Sequence, residues 1–150
     1  ARSAADWHRL DVAAGLPQVY AATQGEFVAQ MLNLDLIGGI AFDKGCYTGQ
    51  EIIARTHYRG RMKRRMQRFA SRADRAQQWP PGAKGRLPDG RSFEIVDSAD
   101  AAAGGCELLA VASYGSLAEE SAARLDESLP LCADASPLPL PYALPALDAA

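Results

Sequence analysis

Between Ser3 and Ala14 the apolar residues Trp7, Leu10 and Ala14 recur at three- and four-residue intervals, which predicts an amphipathic helix. Ser3 and Asp6 stand at capping-box spacing ahead of it, and Gly15 followed by Pro17 predicts its end. Residues 18–43 carry Phe27, Val28, Met31, Leu32, Leu34, Leu36 and Ile37 without a sustained period, so short irregular pieces broken at Gly38-Gly39 are expected. Asn33 and Asp35 alternate with leucines there, which fits a short strand or an extended loop with polar groups aimed inward. A second helix is predicted from about Gly49 to Arg59, ending at Gly60, with Thr48 and Glu51 as its capping box ahead of Ile52 and Ile53.

Past Gly60 the period changes to two, and a strand is predicted from about Arg61 to Ser71 with basic side chains on both faces. Pro80-Pro81-Gly82 reads as a linker or turn, and Leu87-Pro88-Asp89-Gly90-Arg91 as a tight turn between short strands. Ser92 to Asp97 and Cys106 to Ser113 read as further strands. Ser116 to Glu127 is helix-permissive, with a strand near Ala122 to Leu125 as the alternative. The proline-rich tail from Leu129 cannot supply an inner strand, although Leu138 to Leu144 can cover an edge. The fold class expected is α+β, with residues 1–60, residues 61–145 as a small antiparallel β-barrel, and 146–150 as a disordered tail.

Composition narrows this little, at 48% hydrophobic and 23% charged residues, but it excludes a membrane span because no long apolar run exists. The start, Ala1-Arg2-Ser3, reads as the middle of a longer protein. Three widely spaced cysteines, Cys46, Cys106 and Cys132, form neither a disulfide framework nor a metal-binding pair, and suit a reducing, cytoplasmic setting. No metal site is expected. Charge changes the picture more: residues 55–68 hold Arg55, Arg59, Arg61, Lys63, Arg64, Arg65 and Arg68 with no acidic residue, in a chain of net charge −2. Such a stripe admits an RNA- or protein-binding reading, although few aromatics accompany it to stack bases.

The candidate chemistry lies in Lys44-Gly45-Cys46-Tyr47-Thr48-Gly49-Gln50-Glu51. Cys46 precedes a helix N-terminus and stands two residues from Lys44, and both influences favour a thiolate. The structural alternative is a loop cysteine packed and inert. Cys106 and Cys132 are assigned to structure. His8 reads as a surface or packing histidine and His57 as a helix-end one, while Glu51 and Arg55 have the favourable i, i+4 orientation.

That octapeptide resembles the signature of the YgfZ-type folate-binding proteins, relatives of the glycine-cleavage T-protein. The flanks agree: Gly15-Leu16-Pro17, Gln30-Met31-Leu32-Asn33-Leu34-Asp35, Gly38-Gly39-Ile40, Ala54-Arg55-Thr56, Tyr58-Arg59-Gly60 and Lys63-Arg64-Arg65-Met66. The resemblance is dense over residues 7–70, thinner across 82–115 and faint in the tail. It implies that residues 1–60 close a GcvT-like folate-binding core and that the C-terminal part is a β-barrel. It also implies tetrahydrofolate as ligand, maintenance of client iron-sulfur enzymes as role, and Cys46 as the reactive group. Lys44, Arg55 and Arg59 would then face the glutamate tail of folate or simply form a solvated face. Tyr47 and Gln50 would contact the pterin or merely pack the loop, beside Glu51. Aminomethyl transfer, the activity of the T-protein relatives, is the alternative, although their corresponding segment lacks this cysteine signature.

Overall fold

A computed structural model describes residues 2–59, 62–72, 76–114 and 126–146, with the backbone alone for 56–59. Its first helix, α1 (Ala4–Ala13), begins as its sequence predicts. The Ser3 hydroxyl accepts from the Asp6 N–H at 3.2 Å, and the Asp6 carboxylate accepts from the Ser3 N–H at 2.9 Å. The face it buries differs from the apolar stripe read in the sequence. Trp7 and Leu10 stay exposed at 57% and 37%, and Val12 is the residue sealed in the core. His8, one turn before Val12, points to the same side. The backbone leaves the helix at Gly15 in the left-handed region, φ 68°, where an added Cβ would stand 2.7 Å from Leu140 and Tyr142.

The body is α+β, a five-stranded antiparallel sheet in the order β2-β3-β4-β1-β5. The strands are β1 (Arg64–Ser71), β2 (Lys84–Arg86), β3 (Ser92–Asp100), β4 (Cys106–Ser113) and β5 (Ser136–Leu138). β4 matches its expected limits, and the Leu87–Arg91 turn joins β2 to β3 as its sequence requires. The sheet is not closed into the barrel expected above. One tail segment instead reaches both edges: Pro130 accepts from the Arg86 N–H, the Cys132 N–H donates to the Arg86 carbonyl, and β5 then pairs with β1. Two prolines in Ser136–Leu138–Pro139 keep that last strand short and at an edge.

Alternation along β4 explains how the sheet is buried on both sides. Leu108, Ala110 and Ala112 join Phe69, Phe93 and Ile95 in one cluster, against which Trp79 packs. Leu109 and Val111 join Val12, Leu32, Met66 and Val96 in the other, covered by Phe27, Met31 and Leu34. α1 and residues 27–34 therefore form a lid on one face. A register shift between Ile95 and Asp97 turns Asp97 inward and lets β3 run to Asp100, beyond the end expected from the sequence. The expectation for Ser116 to Leu125 and for the last residues, 147–150, falls outside the described residues. Among those described, no helix is long and apolar enough to cross a membrane.

Candidate functional site

The motif loop leads into α2 (Gln50–Arg59), close to its expected span, but the cap differs. Gly49 takes φ 85°, and this left-handed residue separates Thr48 from the first helical residue. Among the described residues no hydrogen bond closes a Thr48–Glu51 box. Gln50 provides the local cap, accepting at Oε1 from the Tyr47 N–H at 3.3 Å while its own N–H donates to the Tyr47 carbonyl at 3.1 Å. The expected Glu51–Arg55 pair is likewise not formed among the described side chains, where both residues are exposed.

Lys44 lies with Nζ 4.6 Å from the centre of the Tyr47 ring, an arrangement worth about 0.5–1 kcal/mol at an exposed site. Cys46 is a free, exposed thiol between them in the chain. The motif thus brings Lys44, Tyr47 and Gln50 into one loop and leaves Cys46 open to solvent. Arg55 lies further along α2 without a partner among the described residues, and the Arg59 side chain is outside them. The two other cysteines are buried, and burial pushes the Cys106 thiol up to about 11. Clefts of about 600 and about 410 Å3 flank Ser71, Arg72 and Asp134, and residues 44–51 line neither. Among the described residues no group of three His, Cys, Asp or Glu side chains is placed to hold a metal.

Behind the loop lies a polar network that the sequence pattern only half announced, through the inward reading of Asn33 and Asp35. Arg65 forms a bidentate pair with Asp35, Nη1–Oδ1 2.8 Å and Nη2–Oδ2 2.7 Å, and also donates to the Gln30 carbonyl at 2.8 Å. Asn33, held at φ 60°, donates to the Met66 carbonyl at 2.8 Å and to the Tyr142 hydroxyl at 3.3 Å. Gln30 donates from Nε2 to the Ile53 carbonyl of α2 at 2.7 Å. These bonds join the 28–36 segment, β1, the tail and the motif helix.

The network also changes the meaning of the basic stripe. Arg65 is internal, Arg68 pairs with Glu107 at 2.6 Å, and Arg64 donates to the Val111 carbonyl at 3.1 Å. Three of its seven cations are committed inside the protein, so the stripe is not a continuous phosphate-binding surface. A second cluster escaped sequence reasoning because its members are far apart in the chain. His8 Nε2 and the Tyr20 hydroxyl both lie 2.9 Å from Asp97 Oδ1, which also accepts from the Ser98 N–H. Burial, and then the bond to Asp97, push the Tyr20 hydroxyl up to about 12.

No protein-family model matches the chain.

Proposed function

We propose that the protein binds tetrahydrofolate and supports the assembly or repair of iron-sulfur enzymes, with Cys46 as the reactive thiol. The observation that carries this reading is the setting of Cys46: a free, exposed cysteine, between Lys44 and Tyr47 in sequence, in the loop that opens α2. Two features support it further. Cys46 is exposed, whereas Cys106 and Cys132 are 1% and 3% exposed at the walls of the clefts beside Ser71 and Asp134, so Cys46 is the more accessible thiol. Lys44 in the loop and Arg55 in the helix it opens are exposed cations, and anionic carboxylates such as the glutamate of a folate suit them as point charges.

In this reading residues 1–60 close a GcvT-like folate core, the tetrahydrofolate lies against the 44–51 loop, and Tyr47 and Gln50 shape its floor. Client iron-sulfur proteins meet the exposed thiol. The test is complementation in cells that lack the protein. A Cys46→Ser variant is expected to accumulate normally yet fail to restore the activity of an iron-sulfur enzyme that the unaltered protein restores. Full rescue by Cys46→Ser removes the thiol from the function. Turnover of a lipoyl-bound aminomethyl donor by the intact protein, undiminished in that variant, would replace the reading with aminomethyl transfer.

A further inference from the structure

We infer that residues 40–59 form an arm that opens as a local unit, pivoted at its N-terminal end on Gly38-Gly39 and latched to the body by Gln30, and that its opening carries the Cys46 loop with it. Four observations converge on this. The arm leaves the body through Gly38-Gly39: Gly38 sits at φ 73° with no atom within 4 Å of an added Cβ, and Gly39 is fixed by its N–H to the Leu34 carbonyl at 2.7 Å. Free space beside a glycine in the left-handed region is what a pivot requires. Among the described residues, α2 shares no extended packing with α1 or with any strand, in contrast to α1 on β3 and β4. Its exposed side carries an apolar residue, Ile52, at 60% exposure.

The latch is the Gln30 amide. Gln30 is 1% exposed and its backbone is gripped by Arg65, so the body side of the contact is rigid. Its Nε2 holds the Ile53 carbonyl at 2.7 Å, which fixes the amide's orientation, since a carbonyl needs a donor. Oε1 is then buried with no partner among the described residues. A buried acceptor left unmet in the closed state is hydrated once the arm moves away, so opening recovers part of what breaking the latch loses. The contact is poised, not permanent.

Hydrogen exchange read by mass spectrometry tests this without folate or any client, so its outcome is independent of the function proposed above. Peptides covering Gln50–Arg59 are expected to exchange at least about a hundredfold faster than those of β4, as a locally opening unit does. Gln30→Met, which keeps the volume and removes the donor, is expected to speed exchange of that helix about tenfold and leave β1, β3 and β4 within about twofold. Protection of α2 equal to that of β4 in the unaltered protein overturns the inference, whether or not the variant folds. So does a Gln30→Met variant in which helix and strands accelerate together, because the amide would then be a part of global stability.

Discussion

Replacing Asp35 by alanine is expected to be among the most damaging single changes to the lid that supports the motif. The Arg65 side chain is 6% exposed and that of Asp35 11%, and their two parallel hydrogen bonds measure 2.7 and 2.8 Å. Asp35→Ala leaves a nearly buried guanidinium without its counter-charge, and losing one partner of such a pair costs about 3–5 kcal/mol. With a urea dependence of about 2 kcal/mol per molar, the unfolding midpoint falls by about 1.5–2.5 M. Equilibrium urea unfolding followed by tryptophan fluorescence and circular dichroism measures the shift. Lys84→Ala is the control: Lys84 is 58% exposed and 3.7 Å from Glu94, so its loss costs less than about 1 kcal/mol. The pair replaced as a unit, Asp35→Leu with Arg65→Met, recovers much of the loss, short of the bond that Arg65 donates to the Gln30 carbonyl. An Asp35→Ala cost below about 1 kcal/mol would refute the claim that this network holds the lid in place.

Three further outcomes follow from local geometry. A thiol reagent should titrate one cysteine quickly in the native protein and all three after denaturation, because Cys106 and Cys132 are 1% and 3% exposed; rapid labelling of a second native thiol would contradict the burial. Ser3→Ala should cost about 1 kcal/mol in urea unfolding through loss of the α1 cap, whereas Thr48→Ala, at a similar spacing but with no box formed, should change stability by less than about 0.5 kcal/mol. Tyr20 provides a pH prediction. Its folded value of about 12 exceeds the ordinary 10, so the unfolded chain binds fewer protons in that window, and stability present below pH 10 is lost as pH rises toward 12. Tyr20→Phe should flatten this alkaline decline, and an undiminished slope in the variant would assign it to other groups.

How far the fold could be read depended on whether its signals were local. The α1 cap, the Leu87–Arg91 turn and β4 are short-range patterns, and each lies where its residues predict. The inner face of α1 does not follow its apolar pattern: Trp7 and Leu10 look like core in the sequence, while the helix is docked by Val12 and by His8 to Asp97. Nothing local marks that contact, which spans 89 positions. Asp97 itself resembles a strand end, and only the bulge explains why it turns inward. Arg65 was one arginine in a basic run, indistinguishable from solvated neighbours until paired with Asp35. The Thr48–Glu51 spacing met the capping rule, but the left-handed Gly49 between Thr48 and the helix defeated it. The barrel expectation failed for a topological reason: the tail touches β2 and β1 in turn but supplies too short a strand to close the ladder.

The central claim, that the 44–51 loop serves a folate, is tested most directly by titrating tetrahydrofolate into the full-length protein under anaerobic conditions. Calorimetry should give a saturable isotherm at one site, weakened about tenfold in Lys44→Ala, a loss of about 1.4 kcal/mol. An isotherm without saturation in the full-length protein, or an affinity that Lys44→Ala leaves unchanged, would contradict the account.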